Sequence, residues 1–343
     1  MSPTKPGNRL PLRATPDDVR YAYRLILNRE PDPAGLDHYT KLVTSTLMTP
    51  ADLAAGFMSS KEYLEGPGKL RVPAQPPSGL APLGCCPCTK AQIESPSFLY
   101  WAKQLREQPG RLHRKLWEWC YIVQALYERG VLIEGARGLG FAVGQESLPA
   151  LFASMGCSVL ATDLDLEAAA EKGWVETNQH SANLANLNRR GICPADLFDA
   201  RVRFREANMN DIAADLTGFD FLWSSCAMEH LGSLRHGMNF VINAMKCLRP
   251  GGVAVHTTEL NCDSNENTVA DGNDVIYRQR DLLELGRELS ELGHEVAAFG
   301  FDTGSEPDDQ IVDEPPYSGM PHLKLRIGGY ASTSYGIVIK ARS

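Results

Sequence analysis

The chain has 343 residues, of which 43% are hydrophobic and 22% are charged, as in ordinary folded proteins. Its formal net charge of -8 argues against a broad basic surface for nucleic acid. The first residues lack the apolar core of a secretory signal, and no apolar run reaches the roughly 18 residues of a membrane span. We therefore expect a cytoplasmic protein without a membrane span, with reduced thiols; the oligomeric state stays open.

Residues 15–64 are predicted to form a small all-helical domain, after a flexible tail at residues 1–14. Thr15-Pro16-Asp17-Asp18 is typical of a helix start, because a hydroxyl caps the first turn and carboxylates suit the helix dipole. Thr49-Pro50-Ala51-Asp52 repeats this pattern. The segment resembles a short bacterial domain of unknown function that often accompanies surface or glycan-handling proteins. The matching residues are Tyr23, Arg24, Leu27, Arg29, Asp32, Gly35, Ser60, Glu62 and Tyr63.

The Pro- and Gly-rich segment at residues 65–96 is predicted to be a linker to a second domain, residues 97–343. The linker contains Cys85-Cys86-Pro87-Cys88, which includes one Cys-x-x-Cys spacing. A structural zinc ion needs two further ligands, and no second pair follows at a suitable distance. Unpaired thiols are therefore the favoured interpretation, and no metal is expected here.

The second domain begins with the pattern of a nucleotide-binding half-unit. Val131-Leu132-Ile133-Glu134 is predicted to be a strand that enters a glycine turn at residues 135–144. A helix and a second strand, Val159–Thr162, follow, and the strand ends in Asp163. Glycines let the backbone approach a ligand closely, and the acid can accept hydrogen bonds from both ribose hydroxyls. A short-chain dehydrogenase would need a Tyr-x-x-x-Lys pair, which the sequence lacks.

Five more strands are predicted after this half-unit. They lie at residues 201–205, 219–226, 253–255, 296–301 and 335–340, and Leu248-Arg249-Pro250-Gly251-Gly252 is predicted to be the turn before the third of them. Alternation of strands and helices indicates an α/β domain. The predicted fold class is thus a seven-stranded Rossmann-like sheet with helices on both faces, preceded by the helical domain.

Residues 131–260 resemble the class I S-adenosylmethionine-dependent methyltransferases. The resemblance rests on Glu134 with the glycine turn, on Asp163, on the 219–226 strand leading into Glu229-His230, and on the Pro-Gly-Gly turn. It implies S-adenosylmethionine as cofactor, bound across the strand ends. The implied cofactor-binding residues are Glu134, Gly135, Ala136, Gly138, Gly140, Asp163, Asn208, Met209 and Ser225. Ala136 replaces a usual glycine, Asn208 replaces a usual aspartate, and the segment before Asp163 is longer than usual.

Polar residues at the predicted strand ends are candidates for the chemistry. A hydroxyl acceptor benefits from a nearby base, and such a group belongs at the carboxyl end of a parallel strand. We expect His256 to be the base and Glu259 to orient it, with His230 as the alternative base. These three residues could also converge on a divalent metal ion, although none is the favoured expectation. Residues 261–343 are assigned to the acceptor side.

The expected function is methyl transfer from S-adenosylmethionine to a small-molecule or glycan-type acceptor, on oxygen. The glycan assignment follows only from the proteins that the N-terminal domain accompanies in its family. Two alternatives stay open: a non-catalytic scaffold on a methyltransferase fold, and an NAD(P)-dependent oxidoreductase.

Overall fold

The structure is a computed structural model that describes residues 13–27, 29–46, 48–58, 60, 75–76, 82–164, 184–317 and 319–343. Residues 1–12 of the predicted tail, and Glu62 and Tyr63, lie outside these ranges. The chain divides into two compact units, residues 1–71 and 72–343. Across the described ranges, no helix is both long enough and apolar enough to span a membrane.

The first unit contains three helices, α1 (Pro16–Leu25), α2 (Pro33–Ser45) and α3 (Pro50–Met58). Both predicted helix starts are present: the amide of Asp18 donates to Thr15 Oγ1 at 3.3 Å, and that of Asp52 donates to Thr49 Oγ1 at 3.1 Å. The Tyr23 ring packs edge-on against Phe57, with centroids 4.9 Å apart. The three helices therefore share a small apolar core of their own.

The second unit is an α/β unit. Its helices are α4 (Lys90–Ile93), α5 (Pro96–Gln104), α6 (Arg114–Glu128), α7 (Leu148–Ser154), α8 (Leu184–Leu187), α9 (Ala195–Arg201), α10 (Leu234–Ala244) and α11 (Gln279–Glu291). Its strands are β1 (Cys86–Pro87), β2 (Arg137–Phe141), β3 (Ser158–Asp163), β4 (Val202–Glu206), β5 (Phe219–Ser225), β6 (Gly232–Ser233), β7 (Leu248–Asn261), β8 (Asp271–Gly272), β9 (Glu295–Val296), β10 (Val312–Asp313), β11 (Lys324–Ile327) and β12 (Tyr330–Lys340).

The main sheet has the order β10-β11-β12-β7-β5-β2-β3-β4. Strands β4, β3, β2, β5 and β7 are parallel, and β12 enters antiparallel beside β7. The chain runs outward from β2 through β3 to β4, and then returns to the other side of β2 to form β5 and β7. Such a reversal creates a crevice at the carboxyl ends of the central strands, where ligands bind in open α/β sheets. The predicted Rossmann-like fold class is confirmed.

The number of strands differs from the prediction of seven. Among the described residues the sheet has ten strands, because β1, β10 and β11 are added to the seven predicted ones. The predicted strand at residues 296–301 is reduced to β9, Glu295–Val296. β11, β1 and β9 pair with successive parts of one edge of β12, so each of them is short.

The first strand of the sheet also lies later in the chain than predicted. Residues 131–134 are not a strand, and β2 is formed by Arg137–Phe141, which includes two of the glycines assigned to the turn. A Cβ atom on Gly138 would lie 2.4 Å from the Phe221 ring, and one on Gly140 would lie 2.4 Å from Trp223. The glycines are needed because these two aromatic side chains of β5 pack flat over β2. Their role is close packing within the sheet.

Strand β7 begins earlier than predicted and continues through the polar segment. The Pro-Gly-Gly sequence forms a bulge, because Phe219 pairs with Leu248 while Phe221 pairs with Val253. Gly251 has a φ of 74°, a conformation that favours glycine at the bulge. The strand then runs without interruption to Asn261. His256 is consequently inside the strand, and the polar residues that follow it point alternately to opposite faces of the sheet.

Two apolar layers cover the faces of this sheet. Phe221 and Trp223 pack on one side with helices α6 and α7, whereas Leu222 packs on the other side with α10 and α11. The alternation follows from the period of two along a strand. The first layer is important for the site, because the first turn of α6, which carries charged side chains, lies at the carboxyl edge of the sheet.

The segment predicted as a linker contributes to the α/β unit from residue 82 onward. Cys85 is fully buried, and its amide donates to Ala298 O at 2.9 Å. Tyr121 Oη donates to Gly84 O at 2.7 Å, and Tyr335 Oη donates to Cys85 O at 3.1 Å. These contacts place the start of the folded unit before residue 97. Burial raises the pKa of the Cys85 thiol to about 12, as expected for a thiol that packs in a core.

Candidate functional site

A cavity of about 960 Å³ opens at the carboxyl ends of the central strands. Its wall contains residues that directly follow β2, β3, β4 and β5, together with Glu259 of β7. The first turn of α6 and residues of β11 complete the wall. The cavity thus occupies the crevice that the reversal of the sheet at β2 creates. Its volume is within the usual range for sites of small molecules and cofactors.

The turn after β2 forms one side of the cavity. Ala142 and Gly144 both have positive φ, 49° and 50°. The Gly144 amide donates to Asp163 Oδ2 at 3.1 Å, and the Leu164 amide donates to Asp163 Oδ1 at 2.8 Å. Asp163 is 3% exposed and lines the cavity at the end of β3, as predicted from its place in the sequence. The turn and this carboxylate form a single hydrogen-bonded unit.

The five predicted cofactor residues before this turn do not line the cavity. Glu134 lies before β2 with its side chain 84% exposed, and its carboxylate is 3.6 Å from Arg201. Gly135 has a φ of 82°, and its amide donates to Gly156 O before β3, at the opposite edge of the sheet. Ala136 is also on that side, where its carbonyl accepts from the Ser158 amide. Gly138 and Gly140 lie inside β2 under aromatic rings. The predicted glycine turn therefore lies too early in the sequence. Strand β2 contains two glycines, and this made it resemble a glycine turn.

The remaining predicted cofactor residues are at the cavity. Asn208 and Met209 follow β4, and Met209 is 7% exposed. The Asn210 amide donates to Asn208 Oδ1 at 2.9 Å, which fixes the Asn208 side chain. Ser225 ends β5, and its hydroxyl donates to Glu118 Oε2 at 3.0 Å. The structure thus brings Asp163, Asn208, Met209 and Ser225 to one cavity.

Helix α6 contributes a charged group that the sequence analysis missed. Lys115 Nζ donates to Glu118 Oε2 at 2.6 Å, and Glu118 Oε1 accepts from Ser334 Oγ at 2.7 Å. Glu118 is fully buried, and although burial opposes its ionisation, the charges of Lys115 and Arg114 lower its pKa to about 2. The sequence contained one signal for this group: a Lys-x-x-Glu spacing next to an apolar helical stripe, which puts a carboxylate near the core.

Arg114 and Glu259 form a second buried ion pair. Arg114 Nη1 donates to Glu259 Oε2 at 2.7 Å, and Nη2 contacts Oε1, so the pair is bidentate. Ser332 Oγ donates to Glu259 Oε2 at 2.6 Å. Such geometry fixes the carboxylate firmly. Glu259 lines the cavity.

His256, the predicted base, is in a different place from Glu259. It is fully buried, its Nδ1 is 2.8 Å from Ser224 Oγ, and its ring meets the Phe240 ring of α10 edge-on at 5.5 Å. Residues three apart on a strand face opposite sides of the sheet, so His256 and Glu259 cannot act together. Burial lowers the pKa of His256 to about 3. His256 does not line the cavity.

Two residues after β5, Glu229 and His230, line the cavity. His230 Nδ1 is 2.8 Å from Asn273 O and 3.1 Å from Asp274 Oδ1. Burial lowers the pKa of His230, but Asp274 and Glu229 outweigh this effect and raise the pKa to about 9. Glu229 is 1% exposed, and burial raises the pKa of its carboxyl to about 7. His230 is therefore charged at neutral pH, which does not suit the role of a base.

Two further residues of the cavity wall, Trp119 and Glu146, carry polar groups. Trp119 lines the cavity, and its Nε1 is buried without a hydrogen-bond partner in the described part of the chain. Glu146 accepts from Trp223 Nε1 at 2.5 Å, and burial raises its pKa to about 8. A neutral carboxyl can donate as well as accept a hydrogen bond. The cavity thus presents donors and acceptors on walls that are otherwise partly apolar.

The position of His256 leads to a prediction about stability. Ser224→Ala leaves both ring nitrogens of His256 without a partner, so it should cost about 1–3 kcal/mol of unfolding free energy. The double variant Ser224→Ala/His256→Leu removes both polar partners and should cost less than the single one. Urea denaturation measures both values.

Neither variant should change the affinity of the cavity for small ligands, because the Ser224–His256 pair is under α10. A double variant that is less stable than Ser224→Ala, or one that loses ligand binding, would contradict this placement.

Comparisons with known proteins agree with the two-unit description. Residues 15–66 match the profile of a domain of unknown function (DUF4214), which confirms the resemblance noted for the N-terminal segment. A search of curated proteins gives no match to the chain. Among solved structures, the α/β fold is similar to several S-adenosylmethionine-dependent methyltransferases.

Three of these structures illustrate the likeness. A magnesium protoporphyrin IX methyltransferase from Synechocystis, with bound S-adenosylhomocysteine, is 10% identical, and the match covers 72% of this chain and 87% of that one at a TM-score of 0.40. A methyltransferase from Mesorhizobium loti is 13% identical, with 63% and 95% covered and a TM-score of 0.38. The glycopeptide N-methyltransferase MtfA is 15% identical, with 62% and 91% covered and a TM-score of 0.37.

Proposed function

We propose that the α/β unit transfers a methyl group from S-adenosylmethionine to a small-molecule or glycan-type acceptor, on oxygen. The observation that supports it most is the Asp163 carboxylate at the end of β3, hydrogen-bonded to the glycine turn after β2 and facing the cavity. A carboxylate in this place can accept from two vicinal ribose hydroxyls. Gly144 brings the backbone to the cavity without a side chain, which leaves room for the cofactor.

The cofactor would supply a methyl group that its sulfonium has already activated. The protein's main task is then to hold the acceptor in line with that methyl group and to exclude water. Asn208 and Met209 are proposed to contact the adenine, and Ser225 to border the cofactor beside Glu118. The proposed cofactor site thus contains Asp163, Asn208, Met209 and Ser225 from the prediction, and the turn Ala142–Gly144 takes the place of Glu134–Gly140.

The acceptor side is proposed to lie over the α6 and β7 residues. Arg114, Lys115 and Glu259 present fixed charged groups, and Trp119 Nε1 is a donor without a partner among the described residues. Glu259 and His230 keep their proposed place beside the acceptor, as orienting groups that contact it. His256 loses its proposed role because its side chain is on the other face of the sheet. A polyhydroxylated acceptor suits such a set, because each hydroxyl both donates and accepts.

Ligand titration of the full chain tests this function. S-adenosylhomocysteine should bind with one site per chain and raise the melting temperature, whereas NAD⁺ should do neither. At a ligand concentration one hundred times the Kd, the expected stabilisation is about 2.7 kcal/mol. Asp163→Ala should weaken the binding by about 1–3 kcal/mol, because two hydrogen bonds to the ribose are lost.

Asp215→Ala is the matched control. Asp215 is an exposed aspartate whose carboxylate pairs with Arg205 at 2.6 Å, away from the cavity lining. Its removal should not change the affinity. Binding of NAD⁺ in preference to S-adenosylhomocysteine would replace methyl transfer by the oxidoreductase alternative, and binding of neither would favour a scaffold.

A further inference from the structure

Three potential metal ligands converge at the floor of the cavity. Cys226 and Glu229 follow β5, Glu259 is near the end of β7, and the two strands are parallel neighbours. One ligand atom from each residue, a sulfur and two carboxylate oxygens, lies within 4.8 Å of the other two. Their convergence follows from the topology, because parallel strands end at the same edge.

Glu229 shows that this group is incomplete without a ligand. Its Oε2 accepts from Thr258 Oγ1 at 3.1 Å, whereas its Oε1 is buried with no hydrogen-bond partner among the residues described. A buried carboxylate oxygen without a partner is costly, and a proton or a cation removes that cost. Glu229 lines the cavity, so this oxygen lies close to the space where a ligand would bind.

Cys226 is held in an unusual conformation at the same place. Its φ is 47°, a left-handed value that is uncommon for a residue with a side chain, and such outliers concentrate at functional sites. Among the described residues, the hydrogen-bond contacts of the sulfur are long, 3.7 Å to Thr257 Oγ1 and 3.9 Å to Ser334 Oγ. Cys226 also lines the cavity, beside Glu229 and Glu259.

Glu259 is already oriented by partners that do not use up its capacity. Arg114 contacts both of its oxygens, and Ser332 Oγ contacts one of them. Two carboxylate oxygens offer about four lone-pair positions, so one position stays open for an ion. Thr258 holds Glu229 in the same manner. Metal-binding carboxylates are typically held by hydrogen bonds of this kind from an outer shell of residues.

We propose that Cys226, Glu229 and Glu259 form a binding site for a divalent transition metal ion, of which Zn²⁺ is the best match. One sulfur and two oxygen ligands suit zinc, whereas magnesium and calcium prefer oxygen alone. Three protein ligands leave the fourth tetrahedral position open, as in catalytic zinc sites. That position faces the cavity and is available to an oxygen or sulfur atom of a bound molecule.

The site differs from the metal set considered in the sequence. That set combined His230 and His256 with Glu259, but His256 is on the other face of the sheet. Binding of the ion requires the Cys226 thiol to release a proton to solvent, as for any thiolate ligand. The proposal uses no cofactor contact and can hold or fail separately from methyl transfer, although Glu259 also borders the proposed acceptor side.

Metal titration of the metal-free full chain tests the site directly. ZnCl₂ should bind with one equivalent per chain in calorimetry, and CoCl₂ should produce a near-ultraviolet band from cobalt–thiolate charge transfer. Cys226→Ser should abolish the band, and Glu229→Gln should weaken zinc binding at least about tenfold. Thr258→Val should weaken it by about tenfold as well, because it frees Glu229 from its positioning hydrogen bond.

Two controls distinguish this site from other cysteines and acids. Cys262 is a half-buried thiol just beyond the end of β7, and Glu288 is a surface acid that pairs with Arg235 at 2.5 Å. Cys262→Ser and Glu288→Gln should keep one zinc equivalent and the cobalt band. Far-ultraviolet circular dichroism and S-adenosylhomocysteine binding confirm that each variant is folded.

Three results would overturn the proposal. The first is a wild-type chain that binds no zinc above buffer controls. The second is a cobalt band that persists in Cys226→Ser but is lost in Cys86→Ser, which would assign the metal to the β1 cysteines. The third is unchanged zinc affinity in folded Glu229→Gln.

Discussion

Gly144→Val is expected to weaken S-adenosylhomocysteine binding by about a hundredfold, or roughly 2.7 kcal/mol. Gly144 lines the cavity in the turn after β2, and its amide donates to Asp163. A branched side chain in this turn removes space from the proposed cofactor site and displaces the Asp163 carboxylate. Calorimetric titration of the purified variant measures the loss.

Gly135→Val is the matched control for this substitution. Both glycines have positive φ, 50° at Gly144 and 82° at Gly135. Valine at either position should therefore lower the free energy of unfolding by a similar amount, about 1–2 kcal/mol or more, through backbone strain. A Cβ atom on Gly135 would have no neighbour within 4 Å, and the residue is at the opposite edge of the sheet. Gly135→Val should therefore lower the melting temperature but keep the affinity. The reverse outcome would return the cofactor site to the glycines before β2.

Removal of residues 1–96 is expected to prevent stable folding, whereas removal of residues 1–71 is not. The longer deletion takes away β1 and the buried side chains of Cys85, Cys88 and Ile93. Burial of one isoleucine side chain contributes about 1.5–3 kcal/mol to the free energy of unfolding. The hydroxyls of Tyr121 and Tyr335 also lose hydrogen-bond acceptors, the carbonyl oxygens of Gly84 and Cys85. We expect a combined loss of more than about 5 kcal/mol, a large part of the stability of a typical protein.

The fragment 72–343 should melt close to the full chain and bind S-adenosylhomocysteine with the same affinity, because it contains one complete compact unit. Thermal denaturation and ligand titration of both fragments supply the comparison. A soluble fragment 97–343 with an unchanged melting temperature would mean that β1 and the cysteines contribute little to the fold.

The sheet was predictable because alternating apolar segments mark buried strands, and β3, β4 and β5 lie within a residue or so of their predicted places. The exact position of β2 was not predictable from local pattern. Gly138 and Gly140 are explained by Phe221 and Trp223, which are far away in sequence. The shift also accounts for the unusual distance before Asp163, since the true turn at residues 142–144 is nearer to it.

The candidate site, too, was predictable from the sequence only in part. Asp163, Asn208 and Met209, which the resemblance implied, line the cavity because they follow the carboxyl ends of parallel strands. His256 was misassigned because a polar residue was taken as the end of a strand that in fact continues to Asn261. The Lys-x-x-Glu spacing indicates only that Glu118 lies near the core, and tertiary packing then brings Arg114 and Glu118 of α6 to the site.

The last strand in the sequence has a consequence for synthesis on the ribosome. β12 is not at the edge of the sheet but between β7 and the short strands β1, β9 and β11. Cys86 pairs with Gly336, so the early segment must wait for a partner that leaves the ribosome much later. Contacts of such sequence separation form slowly. The N-terminal helices can fold while the chain is still growing. Strand β7 and the cysteine segment, in contrast, keep unpaired backbone N–H and C=O groups until β12 is made. We therefore expect nascent chains stopped before residue 330 to be targets for chaperones.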